Sequence, residues 1–517
     1  MPAFRALFVA MVVSNIGMWM QMVGAQWKLI DQPDSTHLIA LIQTAMTLPF
    51  AIFALPAGIL ADNVDRRRML LVVQTLQLCV GTLLAGLVLV GSIPPYVLLL
   101  LIFLLGTGSA FSLIPFQSSV VELVPREQVP MAAAMSGLSA NIARAIGPAL
   151  AGVLVAAYGI PLVFCINAVT IAFYVVTLLR WKTDSRRRIA PREQFTPALI
   201  AGTRFVWHSP HLRKLLLRTI LFTVPAQAIW ALLPLVAKRQ LGLDVGAYGV
   251  LLAALGVGAI VGAASLPRLR AMWQTNGVVG IAMFCYALAT VALSFTGNVW
   301  QAVPLLAVAG FGWIGTLSTI GGSLQLYLPN WVRSRGVAIN TVVLFGGQAI
   351  GAALWGWFAT VMTLQQTYWL AGAVIAVAST IARIRPLTHL EGLDRSHADY
   401  WPEPQTQLSE EELEGTVLVS IEYDVDPARL QEFTDAMSYV RVIRMRTGGM
   451  QWSLYRDVEH PGRFVETYTA GSWEEHMRQH HTRLTESDRQ LEERANACAV
   501  RPPRVEHFIQ TATTRRL

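Results

Sequence analysis

Arg144 lies about halfway along an apolar stretch running from residue 131 to 157. In a hydrocarbon solvent a guanidinium there costs about 3 kcal/mol on insertion scales. It must therefore face an interior and meet a counter-group. It can attract an anionic substrate, or pair with Glu122 or another cavity acid in one conformation. The plain alternative is a structural ion pair near the mouth of a cavity. Glu122 ends the preceding apolar stretch. It can carry a proton if burial raises its carboxyl pKa, or sit exposed at a helix end. A third group is ADNVDRRRML, residues 61–70, which places Asp62, Asp65, Arg66, Arg67 and Arg68 between two apolar runs. Far along the chain, His476 and His480 stand at i and i+4, on one helix face, where they can meet a ligand. No third ligand accompanies them, and the four cysteines (Cys79, Cys165, Cys285 and Cys498) have no metal-like or redox spacing. No metal and no cofactor are expected.

The elements that must position these groups follow from composition. Of 517 residues, 54% are hydrophobic and 14% charged, against roughly 25% charged in soluble domains. Apolar runs of about 20 residues, enough to span a bilayer, repeat from Phe4 to Ile384. They predict twelve helices, near 4–27, 36–61, 69–91, 95–121, 131–157, 160–181, 214–236, 246–267, 276–296, 300–326, 334–360 and 366–386. Turn signals separate several of them, among them Gly91-Ser92-Ile93-Pro94-Pro95 and Gly159-Ile160-Pro161. The first run starts almost at residue 1 and lacks a cleavage-site pattern, so it reads as a span. The net charge of +8 sits mainly in short loops between apolar runs, which favours a membrane over a nucleic-acid partner. Basic residues fall on alternate loops: Arg66–Arg68, Arg126, then Arg180 to Arg188, Arg268 and Arg270, Arg333 and Arg335, Arg383 and Arg385. Such loops favour the cytoplasmic side, so both termini are expected there. Lys238 and Arg239 are the main exception, with Lys28.

The chain also repeats itself at a constant offset of 204 residues. Gly58 aligns with Gly262, Gly106 and Gly108 with Gly310 and Gly312, Pro125 with Pro329, Ile146-Gly147 with Ile350-Gly351, and Gly152 with Gly356. Two parallel six-helix halves follow, 1–181 and 213–386, joined by a charged cytoplasmic segment, 182–212. Internal repeats of this kind are frequent in transporters.

Over residues 1 to about 388 the chain resembles the major facilitator superfamily of transporters. The string Gly58-Ile59-Leu60-Ala61-Asp62-Asn63-Val64-Asp65-Arg66-Arg67-Arg68 is similar to that family's loop 2–3 signature. Asn63 stands where a basic residue is usual, and Asp65 where glycine is usual. The Asp65 form resembles a branch of secretion effectors that includes enterobactin exporters and some macrolide efflux pumps. Asn141-Ile142-Ala143-Arg144-Ala145-Ile146-Gly147-Pro148-Ala149-Leu150-Ala151-Gly152 resembles the Gly-Pro motif of exporting branches. There Gly147 and Gly152 allow close helix approach and Pro148 removes one backbone hydrogen bond.

The resemblance implies gating roles for Asp62, Arg66, Arg67, Gly147, Pro148 and Gly152, to which the charge reading above adds Glu122 and Arg144. It also implies a cavity lined by spans 1, 4, 7 and 10. In and beside those spans the sequence offers Asn15, Trp19, Gln26, Gln117, Asn141, Gln227, Trp230, Trp313 and Gln325. Amides and indoles on an apolar lining suit a large amphipathic organic molecule.

After residue 386 the composition turns polar. Residues 387–414 read as a linker, and 415–512 as a small cytosolic domain. Val417, Val419, Ile421 and Tyr423 alternate as a strand; Leu430, Phe433, Met437, Val440 and Ile443 follow at helical spacing. Two further strands, a helix from Trp473 to about Ala497 and a last strand near 504–511 give the order β-α-β-β-α-β, which is ferredoxin-like. Trp452…Tyr455-Arg456-Asp457…Gly462-Arg463-Phe464…Glu466…Ser472-Trp473-Glu474-Glu475-His476…Gln479-His480 resembles dimeric α/β-barrel domains of the antibiotic-biosynthesis monooxygenase type. Homodimerisation or ligand sensing is the expected use.

The whole reads as an all-α membrane protein plus an α+β tail. Its expected place is the bacterial inner membrane, its partners the bilayer, a small organic substrate and protons, with no nucleic acid. The expected function is export of a siderophore-like or drug-like compound by alternating access. The alternatives are a membrane-tethered, cofactor-independent monooxygenase and an importer of the same fold.

Overall fold

A computed structural model describes residues 2–32, 34–91, 93–124, 129–181, 195–384, 386–387, 394–404, 406–409 and 412–511. The chain forms two compact units. One comprises 1–189, 216–322 and 338–387; the other comprises 190–215, 323–337 and 388–517.

The first unit is helical. Its helices are α1 (Pro2–Leu29), α2 (Ser35–Asn63), α3 (Arg66–Leu89), α4 (Pro95–Leu123), α5 (Val129–Tyr158) and α6 (Ile160–Arg180), with most of α8 (Pro210–Leu235), α9 (Val245–Leu293), α10 (Val299–Tyr327), α11 (Arg333–Val361) and α12 (Leu364–Ile384). The fourteen-residue α7 (Phe195–His208) belongs to the second unit. Local chemistry sets several ends. Asp65 caps α3 by accepting from the Arg68 amide, and Asp244 caps α9 by accepting from Ala247. Gly159, at φ 85°, breaks the chain between α5 and α6.

Eleven helices among the described residues are long and apolar enough to cross a membrane, where twelve were expected. The difference lies in α9, whose 49 residues cover two predicted spans. A helix of that length would be about 73 Å long at 1.5 Å per residue, more than twice a bilayer core. It is broken at Gln274, which has φ 53° and ψ 173°. The side chain of Asn276 holds the break by bonding both the N–H and the carbonyl of Leu387.

The glycines of the sequence repeat make matching contacts in the two halves. A Cβ on Gly106 would lie 3.0 Å from the Met46 carbonyl of α2; one on Gly310 would lie 1.9 Å from the Leu255 carbonyl of α9. Gly147 lets α5 touch α1 at Ile16 and Trp19, and Gly351 lets α11 touch α8 at Val224 and Gln227. Gly152 brings α5 against Val245 and Gly246 of α9, and Gly356 brings α11 against His37 and Ala40 of α2. α5 therefore packs on α1 and α9, and α11 packs on α8 and α2.

The second unit contains a four-stranded antiparallel sheet: β1 (Val417–Asp424), β2 (Met450–Arg456), β3 (Arg463–Ala470) and β4 (Arg504–Ile509), in the order β2-β3-β1-β4. Val417, Val419, Ile421 and Tyr423 of β1 share a core with Phe433, Met437 and Val440 of α13 (Leu430–Thr447). The helix expected from 473 to 497 is three pieces: α14 (Trp473–Arg478), a π-helical turn over Gln479–Arg483, and α15 (Glu486–Asn496). Leu484 is extended and Asp488 accepts from the Thr485 amide at 3.1 Å at the start of the last piece, which is why the helix does not run through. Part of the expected linker is also built in, because Trp401 donates from Nε1 to the Glu492 carboxylate at 2.9 Å.

Candidate functional site

In the first unit, α1, α5, α8 and α10 bring Trp19, Arg144, Trp230 and Trp313 together. The Arg144 guanidinium lies 5.6 Å from the Trp19 ring and 5.5 Å from that of Trp230. The two indoles are 5.9 Å apart, and Trp313 stands 5.5 Å from Trp230. Gly147 keeps the Arg144–Trp19 contact short, since a Cβ there would strike the Trp19 Cβ at 2.6 Å. Cation–π attraction reaches about 2 kcal/mol per face when desolvated, comparable with the cost of placing the charge in lipid. It satisfies no N–H, however. Nε and Nη1 of Arg144 are shielded from solvent and have no hydrogen-bond partner among the described residues. The same holds for Nε1 of Trp230 and Oε1 of Gln227. The result is an aromatic cluster with a cation and several unmet polar atoms.

Other predicted lining residues are placed differently. Gln26 is fully buried and its Oε1 accepts from the Tyr248 hydroxyl at 2.7 Å, so it ties α1 to α9. Asn15 and Asn141 are half-buried, and Gln117 and Gln325 are exposed. Gln325 belongs to the second unit.

The predicted gating residues also separate. Pro148 and Gly152 meet α9, where a Cβ on Gly249 would lie 2.6 Å from the Pro148 carbonyl. Arg67 donates to the last carbonyls of α6, Leu178 and Leu179, at 3.0 Å each. In the other half, Arg218 of α8 caps α12 by donating to the Ala382 carbonyl at 2.7 Å. Leu178 and Ala382 are themselves 204 residues apart. Arg66 opens α3. Asp62 ends α2 and Glu122 ends α4, but their side chains lie outside the described residues.

A second set of polar contacts joins the two halves at the end of the bundle where α1 leads into α2. Arg239 donates to Ser35 Oγ at 2.7 Å and to Thr36 Oγ1 at 2.9 Å. Lys238 approaches Asp31 at 3.9 Å and the Trp27 ring at 5.8 Å. Gln43 reaches the Trp230 carbonyl at 3.4 Å. Sequence reasoning saw Lys238 and Arg239 only as misplaced charges. Their partners are hydroxyls and one acid on the facing half, a pairing that no local pattern announces.

In the second unit, Arg444 is buried between two carboxylates, with Nε 3.0 Å from Glu466 and Nη1 2.5 Å from Glu492. Glu466 also accepts from Tyr423 and from Trp452 Nε1. Beside this group lie His476, His480 and His507, each offering one ring nitrogen within 4.8 Å of the others. Burial is the main force pushing the His476 pKa down to about 3 and that of His480 to about 4. Both rings are therefore neutral at ordinary pH. The third imidazole comes from β4.

A family model described as transmembrane secretion effector matches residues 1–515. The enterobactin exporter EntS of Salmonella choleraesuis (strain SC-B67) is 29% identical over 372 residues, which cover 70% of this chain and 87% of that protein. The enterobactin exporter EntS of Escherichia coli O1:K1 / APEC is 27% identical over 377 residues, covering 70% and 86%. Among solved structures, the nucleoside transporter NupG shares the fold with a TM-score of 0.59 at 11% identity, over 74% of this chain and 99% of that one. A bacterial homologue of the human lysosomal transporter Spinster, in an inward-facing and unoccupied conformation, gives 0.57 at 14% identity, over 74% and 94%.

Proposed function

The chain belongs to the transmembrane secretion effector family of major facilitator transporters and is a transporter rather than an enzyme; on that premise we propose that it exports an amphipathic, siderophore-like organic anion by alternating access. One observation carries the substrate class. Arg144 lies against both Trp19 and Trp230, yet keeps Nε and Nη1 unmet. An aromatic, oxygen-rich anion supplies ring faces for the indoles and acceptors for the guanidinium. Relatives that export enterobactin support that choice.

The transporter crosses the membrane twelve times, with α9 contributing two crossings around Gln274, and both termini face the cytoplasm. The basic loops then mark the inner side, and the Arg239–Ser35–Thr36 contacts close the outer side. This is the state that receives cargo from the cytoplasm. Proton coupling falls to an acid at a helix end, Glu122 or Asp62, since no acid occupies the middle of a span. The β2-β3-β1-β4 sheet supports a ferredoxin-like tail that dimerises or senses a ligand.

The test is efflux of a tris-catecholate siderophore from cells lacking their own exporter. Wild type should move the compound to the medium, and Arg144→Ala should retain it in the cells at equal membrane abundance. Wild type that leaves it in the pellet while exporting unrelated cationic drugs would refute the substrate class. Undiminished efflux by Arg144→Ala would remove Arg144 from the site.

A further inference from the structure

We propose that His476, His480 and His507 form a three-imidazole site for a divalent transition-metal ion in the second unit, independent of the transport reading. His476 and His480 stand one turn apart, the first on α14 and the second in the π-helical turn Gln479–Arg483. Such turns are rare and often mark functional positions. His507 arrives from the far end of the chain. It pairs with Val419 in the β1–β4 ladder, and Val419 is a core residue. Directly paired residues share a sheet face, so the ladder register turns His507 toward the helices and the other two rings. Ring centroids of His476 lie 4.8 Å from those of both His480 and His507.

Two features mark this as more than aromatic packing. Both ring nitrogens of His476 and Nδ1 of His480 are buried without a hydrogen bond of good geometry among the described residues. A buried unsatisfied polar atom costs about 1–3 kcal/mol, and a bound ion removes that cost for the one nitrogen that each ring presents to it. The second feature is charge. The neighbouring cation, Arg444, is matched by two carboxylates, Glu466 and Glu492. The Trp401 ring separates this group from the imidazoles, 4.6 Å from the guanidinium and 4.8 Å from His480. A dication at the imidazoles therefore meets a neighbouring cation that already has carboxylate partners.

The donor set selects the ion. Three neutral imidazoles with no carboxylate suit Zn²⁺, Co²⁺, Ni²⁺ or Cu²⁺ rather than Ca²⁺ or Mg²⁺. Metal–nitrogen distances of about 2.0–2.1 Å in tetrahedral geometry set nitrogen separations of about 3.3 Å. The widest pair, now within 4.8 Å, closes by rotating side chains on a short helix and a π turn. Three ligands leave one coordination position open for an external group.

The test uses the full-length chain in detergent, carrying a tag without histidine and stripped with chelator. Titrated Co²⁺ should produce a d–d spectrum saturating at one ion per chain, and Zn²⁺ should be retained at one equivalent through gel filtration. His476→Gln, His480→Gln and His507→Gln should each weaken Co²⁺ binding at least 30-fold, while His481→Gln, outside the cluster, leaves it unchanged. Nitrogen superhyperfine coupling to bound Cu²⁺ should count three imidazoles in the wild type, which needs no variant to fold. Failure to retain an equivalent of any of these ions overturns the site, as does unaltered affinity in His507→Gln.

Discussion

At the scale of the residue, the proposed site turns on Arg144, which stands out in sequence because a charge inside an apolar run must have a reason. Its neighbours were legible only as a set. Trp19 and Trp230 do face it, whereas Gln26 spends its amide oxygen on Tyr248. Sequence marks a residue as polar and intramembrane, but the helix that will meet it is set by packing. A planar guanidinium packs against indole faces in a way an ammonium does not. Arg144→Lys is therefore expected to keep the charge and still lose transport, by about 10- to 150-fold. That is the range of a charge-assisted hydrogen bond worth 1.5–3 kcal/mol, and initial efflux rates at matched expression would check it. In the tail, Arg444 makes the opposite point. Arg444→Met strands two buried carboxylates and should destabilise the second unit by about 3–5 kcal/mol. Limited proteolysis of the intact protein in denaturant would show the tail cut first.

At the scale of the element, the glycines of the repeat show what the sequence period encodes. Gly310 admits the Leu255 carbonyl so closely that no Cβ fits, whereas Gly280 has nothing within 4 Å of where a Cβ would lie. Gly310→Ala should destabilise the detergent-solubilised protein by about 1–3 kcal/mol through overpacking. Gly280→Ala should be neutral or stabilising by about 0.5–1 kcal/mol, since only helix entropy changes. Thermal aggregation curves separate the two; equal effects would mean that α9 and α10 do not meet as described. The helix ends and the repeat were readable from sequence because turn residues and small residues act locally. The merged α9 was not, since Gln274 is no breaker by type and its φ of 53° is held by Asn276 reaching Leu387. His507 was equally hidden. Its place beside His476 depends on strand register across some ninety residues of chain, from Val419 to β4.

At the scale of the whole transporter unit, the two halves meet at one end through Arg239, Lys238, Gln43 and Tyr248. Arg239 is exposed but Ser35 and Thr36 are buried, and both acceptors are neutral hydroxyls, so together the contacts contribute about 1 kcal/mol to keeping that end together. Arg239→Ala should shift the balance about fivefold toward the opposite state. The readout is labelling of Thr47→Cys by a membrane-impermeant thiol reagent, in a background lacking Cys79, Cys165, Cys285 and Cys498. Labelling from outside should accelerate by that factor, and an unchanged rate would leave Arg239 a surface residue.

The crosswise seating of the fifth helices has one more consequence. Gly152 lodges α5 on α9, and Gly356 lodges α11 on α2, so each half carries part of the other's lattice of contacts. Covalent continuity between them is then dispensable. Two polypeptides severed anywhere within 182–194 and synthesised together should find one another in the bilayer and complement, while a severed pair bearing Gly152→Leu and Gly356→Leu should remain strangers. Co-purification through a tag on one fragment would tell the two cases apart.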